Sequence, residues 1–171
     1  MEASTHTDTS PAFDINQYVV YPLQGVGKII SIENQEFKGN EILYYEIYLE
    51  ISDMTVMVPV AKADDLGIRR IVGEEDSKKA LQLISEQGEP VTADWKMRYQ
   101  MNLDLLKSGS IMDIATVVRT LYHRSKVKEL PIQERKLFDN AMKILVDELS
   151  ISLDKPKPEI EDMVFNSLES E

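Results

Sequence analysis

The spacing of apolar residues changes once along this chain, close to Ala61, and this change limits the fold more than any other feature. Before it, short runs of β-branched and aromatic residues alternate with turn residues, which is typical of β-strands. After it, apolar residues recur every three or four positions, which is typical of amphipathic helices. Because strands and helices are segregated along the chain, the sequence predicts an α+β fold.

The N-terminal half is predicted to contain four or five short strands joined by tight turns. Lys38 and Gly39 mark a hairpin connection, since glycine adopts the backbone conformations that such turns need. Strands this short and this closely spaced favour a small antiparallel β barrel. The predicted strands cover residues 18–21, 28–33, 43–51 and 54–60.

Four amphipathic helices are predicted in the C-terminal half, and the short connections between them favour a compact all-α domain. The first is expected over residues 74–86. Thr92 is the expected N-cap of the second helix, and Gly109 its left-handed C-cap. Ser110 begins the third helix in the manner of a capping box, and Pro131 suits the first turn of the fourth.

Composition divides the chain into four segments. Residues 1–13 are polar and have almost no large apolar side chain, so they are predicted to be a disordered tail. The β module is expected over residues 14–72 and the helical domain over residues 73–153. Two prolines then end the regular structure, so residues 154–171 are predicted to be an acidic tail that is disordered or depends on a partner for its structure.

The net charge is strongly negative but unevenly distributed. The whole chain carries −11, to which residues 14–65 and 147–171 contribute −6 each, whereas residues 66–146 carry +3. Because phosphate binding depends on lysine and arginine, the total charge argues against a nucleic-acid partner. The basic central segment can nevertheless orient such a partner, and ordinary scatter of surface charge is the alternative interpretation.

The sequence shows no combination of residues typical of a catalytic or metal site. It contains no cysteine, which removes disulfides, thiolate ligands and cysteine nucleophiles. His6 and His123 have no partners at a spacing suited to a metal site or a triad. Gly25-Val26-Gly27 lacks the third glycine and following helix of a nucleotide-binding loop. We therefore predict a non-enzymatic protein without cofactor or metal, and an enzyme of unknown type is the alternative.

Targeting signals are also lacking in the sequence. The apolar runs are all shorter than the roughly 20 residues that a membrane helix requires. The polar N-terminus does not have the basic start and apolar stretch of a secretory signal. The sequence therefore predicts a cytoplasmic protein that does not associate with membranes.

The single tryptophan, Trp95, has two possible interpretations. Trp95, Tyr99, Leu103 and Leu106 are spaced to share one apolar helix face, so the indole can be an ordinary core residue. Alternatively, the first turn of a helix allows the ring to lie at the exposed rim of the domain. An indole beside cationic side chains can insert at a base step while the cations bind phosphates.

Several short segments occur in an order and at a spacing that point to one family. They are Val19-Val20-Tyr21-Pro22, Gly25-Val26-Gly27, Thr55-Val56-Met57-Val58-Pro59, Leu66-Gly67-Ile68-Arg69, Asp94-Trp95-Lys96-Met97-Arg98-Tyr99, Asn102-Leu103, Ser108-Gly109, Val117-Val118-Arg119-Thr120-Leu121, Glu134-Arg135-Lys136 and Ile144-Leu145. With these segments the chain resembles the CarD/CdnL family of bacterial regulators that bind RNA polymerase. The N-terminal module of that family is shared with the transcription-repair coupling factor.

The resemblance implies a Tudor-like or SH3-like β module that binds the polymerase β subunit, followed by a helical module that contacts promoter DNA largely independently of its sequence. It also implies that Trp95 wedges into the minor groove at the upstream edge of the melted bubble and so stabilises the open complex. We expect a monomer. The basic residues expected at or near the DNA backbone, Arg98 and Arg135 foremost, are Lys96, Arg98, Arg119, Arg124 and Arg135.

The chain also departs from the family pattern. The residues expected to face polymerase are Gln35, Phe37 and Met57, and relatives have basic residues at the first and last of these positions. Met97 and Gln100 likewise stand where relatives carry basic side chains. An adaptor that binds polymerase without touching DNA is therefore the alternative function.

Overall fold

The N-terminal half folds into one antiparallel sheet. In this computed structural model, which describes residues 10–88 and 93–170, the strand order is β4-β3-β2-β1-β5. Strands β4 and β5 are therefore the two edges of the sheet, and the predicted closure into a barrel stays a prediction. The strands are β1 (Tyr18–Tyr21), β2 (Gly25–Phe37), β3 (Asn40–Leu49), β4 (Met54–Pro59) and β5 (Arg69–Arg70).

The longest ladder joins β2 and β3 through the predicted hairpin connection, which here is a turn of two residues. Lys38 and Gly39 both have positive φ, 52° and 81°, so the turn has the backbone twist that matches a hairpin. Phe37 pairs with Asn40 directly across it. The inner face of the sheet buries a separate apolar core, which consists of Phe13, Val19, Ile29, Tyr45, Ile47, Leu49, Val58, Ala63 and Ile68.

Phe13 shows that order begins earlier than the sequence predicted. Its ring is buried and lies 5.6 Å from the ring of Tyr45. The Tyr45 hydroxyl accepts hydrogen bonds from the backbone N–H groups of Ala12 and Phe13. The end of the segment predicted as a disordered tail is thus anchored, because one aromatic side chain completes the core; residues 1–9 lie outside the described residues.

The described residues of the C-terminal half form five helices, so the predicted α+β class is confirmed and the count exceeds the prediction by one. Helix α4 lies at the centre and packs against all four others. None of the described helices combines the length and apolar character required to cross a membrane. The helices are α1 (Glu74–Ser85), α2 (Trp95–Ser108), α3 (Ile111–Val127), α4 (Ile132–Leu153) and α5 (Lys157–Leu168).

The caps of α2 and α3 are mostly those that the sequence predicted. Gly109 has the left-handed conformation expected of a C-cap, and Ser110 accepts the N–H of Asp113 to begin α3. The N-cap of α2 is Asp94, whose Oδ1 accepts the N–H of Met97 at 2.9 Å. The prediction of Thr92 as the N-cap was wrong by two residues, and Thr92 itself lies outside the described residues. A carboxylate is a strong cap because it also faces the positive end of the helix dipole.

Helix α5 corrects the prediction that residues 154–171 lack stable structure. Ile160, Val164 and Leu168 recur every four residues and are fully buried against the core of the helical domain. The two prolines begin this helix: Pro156 is its N-cap, and Pro158 lies in the first turn, where no backbone donor is needed. The two prolines that were interpreted as the end of regular structure therefore mark the beginning of a helix.

A bidentate ion pair joins the β module to the helical domain. Arg69 Nη1 and Nη2 donate to the Glu148 carboxylate at 2.7 and 2.8 Å, and Arg69 Nε donates to the carbonyl of Gly109 at 2.8 Å. The same carboxylate accepts the backbone N–H of Val72 at 3.0 Å. Because the Glu148 side chain is fully buried, these donors must compensate the cost of removing its charged carboxylate from water.

A second contact between the modules runs through the start of α5. Lys157 Nζ lies 3.0 Å from Asp147 Oδ1 on α4 and 3.5 Å from Glu50 Oε2 on the β module. Burial raises the pKa of Asp147 even though Lys157 opposes the shift, and the hydrogen bond with Asp147 in turn raises the pKa of Lys157. The helix that the sequence did not predict thus also supports the module interface.

Candidate nucleic-acid interface

Three helix ends meet at one end of the helical domain. A four-residue loop, 128–131, joins the C-terminus of α3 to the N-terminus of α4. The first turn of α4 is bound to the first turn of α2 by the Arg98–Glu134 ion pair. This end carries exposed cations from all three helices, and we call it the basic end; its cations are Lys96, Lys126, Lys128, Arg135 and Lys136.

Trp95 is the first residue of α2 and lies at this basic end. Its side chain is 37% exposed, and Lys96 Nζ lies 5.9 Å from the centre of the ring. The interpretation of Trp95 as a core residue was therefore wrong. The most buried positions of α2 are Arg98, Asn102 and Leu106, while Tyr99 and Leu103 are partly buried and pack against the core, so the predicted apolar face holds at every position except Trp95.

Arg98 is not at the surface of the basic end. Only 5% of the residue is exposed, and its Nε and Nη2 donate to the two carboxylate oxygens of Glu134 at 3.0 and 2.9 Å. Nη1 donates to the carbonyl of Ala93, two residues before Trp95. The guanidinium therefore binds the N-terminal turn of α2 to α4, a placement that does not support its predicted contact with the DNA backbone.

Arg119 is also engaged inside the protein. Its Nη1 donates to the carbonyl of Leu83 at 3.1 Å, at the C-terminal end of α1, where a cation is favourable. The guanidinium lies beneath Gly88, and a Cβ at that glycine would come within 3.0 Å of it. Arg119 thus contacts the C-terminal end of α1 and Gly88, whereas Arg124 is half-buried and Lys96 and Arg135 are exposed.

Sequence analysis missed Glu134 as the partner of Arg98. A signal was present, because Glu134 shares the buried stripe of α4 with Phe138 and Ala141. An acidic residue at such a position is fully buried only when it has a partner. The sequence could indicate that some cation pairs with Glu134. It could not indicate which one, because Arg98 is 36 residues away and the chain contains many other cations.

The residues expected to face polymerase share the outer face of the sheet. Gln35 and Phe37 are two positions apart on β2 and therefore point to the same side. Met57 is paired with Glu46, which is paired with Ser31 on that same side of β2. All three side chains are exposed. Met57 lies on the edge strand β4, two strands across from β2, and is displaced from Gln35 by about 13 Å in the direction of the strands.

Comparisons with known proteins follow this division into two modules. Residues 13–72 match the CarD-like/TRCF RID domain family, and residues 79–165 match the CarD C-terminal domain family. A protein of Bacillus subtilis (strain 168), named "Putative transcription factor YdeB", is 37% identical over 139 residues, which cover 81% of this chain and 91% of that protein.

The chain belongs to the CarD family.

CarD-family membership confirms the prediction of a transcription regulator that is not an enzyme. The RID match implies an interaction with RNA polymerase. The match to the CarD C-terminal domain extends to residue 165 and so includes most of α5. In the described part of the chain, no group of histidines and carboxylates is arranged to hold a metal ion.

Proposed function

We propose that this CarD-family protein binds the polymerase β subunit through its β module and promoter DNA through the basic end, and so stabilises the open complex. The observation that carries the proposal is the exposure of the Trp95 indole beside Lys96 at the end of the domain where the unburied cations gather. The protein would act in the cytoplasm, as a monomer.

The indole would act as a wedge at the upstream edge of the bubble. Apolar side chains inserted in the minor groove unstack a base step, while neighbouring cations bind the phosphates. A factor that binds only the open form shifts the melting equilibrium by its differential affinity. A stacking contact of about 1–3 kcal/mol would raise the ratio of open to closed complexes roughly fivefold to more than a hundredfold, without reading the base sequence.

The basic residues divide into two roles under this proposal. Lys96 and Arg135, with Arg124 at the margin, would contact phosphates, together with the exposed lysines of the basic end. Arg98 would act indirectly, because its guanidinium group holds the segment that carries Trp95, and Arg119 would serve the fold by bonding the C-terminal end of α1. Binding would be independent of the base sequence, because the contacts would be made by one aromatic ring and by cations that bind phosphates.

Polymerase binding would compensate for the acidic total charge. A net charge of −11 disfavours free association with DNA, whereas a tethered contact acts at an effective concentration near millimolar. Phe37 and Met57 would supply apolar contacts to the β subunit, and Gln35 a polar one, since all three lie on one exposed face.

An adaptor that does not touch DNA is the second candidate. It is favoured by Met97 and Gln100, which are exposed on α2 where relatives carry basic side chains. The test is the lifetime of the open complex with purified polymerase, measured with the wild-type protein and with Trp95→Ala. A lifetime that the wild-type protein lengthens and Trp95→Ala leaves at the value for polymerase alone supports DNA contact, whereas equal lengthening by both proteins supports the adaptor.

A further inference from the structure

The two most exposed large apolar side chains among the described residues flank a single loop. Val127 is 81% exposed at the end of α3, and Ile132 is 75% exposed at the start of α4. The loop between them is held by Leu130, which is buried in the core of the helical domain. Single exposed apolar residues are common, but two such residues in a six-residue segment form a local apolar surface.

Cations surround this apolar pair. Lys126, Lys128, Arg135 and Lys136 are all exposed, and none of them forms an ion pair with a described residue. Lys126 Nζ lies 4.9 Å above the ring of Tyr122. The opposing charges are few: Glu129 is exposed in the loop, Asp139 is exposed one turn beyond Lys136, and Glu134 is neutralised by Arg98.

The loop lies on the same end of the domain as Trp95. Ile132 is two residues before Glu134, and Trp95 is three residues before Arg98, and these two charged residues are bound to each other. Val127 ends α3 and Ile132 begins α4, so the apolar pair and the indole lie at the same end of the domain.

We propose that Val127 and Ile132 form a second apolar contact with the minor groove of promoter DNA, adjacent to the contact made by Trp95. Aliphatic side chains flanked by exposed cations suit a ligand with an anionic rim and apolar base surfaces inside it. An anionic membrane has similar chemistry, but two aliphatic side chains contribute less than one acyl chain, which by itself anchors only marginally. The inference rests on the function proposed for Trp95.

The test compares full-length variants in the open-complex lifetime assay with polymerase. The double variant Val127→Ser/Ile132→Ser removes the apolar surface, and Met101→Ser removes an exposed apolar side chain of α2 away from the loop. We expect the double variant to shorten the lifetime several-fold, with the control unchanged and the thermal stability of both equal to wild type. If Trp95→Ala shortens the lifetime and the double variant does not, the second contact is refuted while the function proposed for Trp95 stands.

Two direct probes separate the other partners. A photo-crosslinking amino acid at position 127 should react with promoter DNA in the open complex, and reaction with polymerase instead would overturn the proposal. Wild-type protein is also mixed with vesicles of phosphatidylglycerol and phosphatidylcholine. Vesicle binding that the double variant loses, together with an unchanged lifetime, would assign the loop to a membrane and refute the DNA contact.

Discussion

Arg98 and Glu134 bind each other through two parallel hydrogen bonds between the first turns of α2 and α4. Both side chains are almost completely removed from solvent. The pair places the segment that begins with Ala93 against α4, and the Trp95 indole projects from that segment. An arginine that looks like a phosphate ligand in the sequence is therefore part of the support for the aromatic residue.

Replacing Arg98 alone should destabilise the protein strongly. Arg98→Met leaves the Glu134 carboxylate buried without a partner, and we expect a loss of about 3–5 kcal/mol in the free energy of unfolding. The double variant Arg98→Met/Glu134→Met should recover much of that loss, because no uncompensated charge remains. Urea unfolding measures both variants. Normal stability of Arg98→Met, combined with weaker binding to DNA, would contradict the supporting role.

Replacing Trp95 should affect DNA contact and little else. Because the ring is partly exposed, we expect Trp95→Ala to change the free energy of unfolding by no more than about 1 kcal/mol. Polymerase binding should be unchanged, while the open-complex lifetime returns to that of polymerase alone. A pull-down and a lifetime assay on the same preparation check both statements, with Met101→Ala as the matched control.

Truncating the α5 core should show that the C-terminal segment is part of the domain. Ile160→Ala removes a fully buried side chain, and we expect a destabilisation of about 2–5 kcal/mol. The neighbouring variant Glu161→Ala changes an exposed position and should stay within about 0.5 kcal/mol of wild type. Chemical unfolding that gives equal midpoints for the two variants would mean that α5 is not packed in solution.

Breaking the module interface should lower stability without altering either proposed binding face. Glu148→Gln removes the charge that Arg69 Nη1 and Nη2 bind and leaves the partly exposed Arg69 in reach of solvent, so we expect a loss of about 1.5–3 kcal/mol. Glu159→Gln, which removes an exposed ion pair with Lys155, is the control and should be nearly neutral. Thermal unfolding that leaves both variants like wild type would show that the interface contributes little.

Asp147 gives the stability a defined dependence on pH. Burial raises its pKa above the ordinary 3.8, so the folded protein binds the proton more readily than the unfolded chain. The stabilisation from this group is fully present below 3.8 and is lost as the pH rises through the folded-state pKa. The stability of wild type relative to Asp147→Asn should therefore increase as the pH is lowered from neutral towards 3.8, measured by thermal unfolding of both proteins. A difference that is constant with pH would contradict the raised pKa.

Local sequence signals were sufficient for much of this fold. Gly39 and Gly109 have the positive φ that their turn and cap require, and Ser110 caps α3 as predicted, because each of these interactions spans only a few residues. The change from alternating to helical spacing likewise separated the sheet from the helices correctly. These features depend on neighbours in the chain, which the sequence displays directly.

Long-range pairing is the part that the sequence could not supply. The spacing argument treats a charged residue as exposed, yet Arg98 is buried because Glu134 lies opposite it, 36 residues away. Pro156 and Pro158 were ambiguous in a similar way, since proline both ends one helix and suits the start of the next. Only the apolar spacing of Ile160, Val164 and Leu168 favoured the start of a new helix. How deeply these residues are buried depends on contacts with α1 and α4, which the sequence does not display.

The Arg69–Glu148 pair has a consequence for where along a promoter this protein can act. With the two modules fastened together rather than joined by a free linker, the span from the sheet to the Trp95 ring is set by the fold. A polymerase docked on the sheet would then hold the indole at one fixed distance from the docking surface. The position of the opened base step would be set by this distance, and no recognition of the base sequence would be needed.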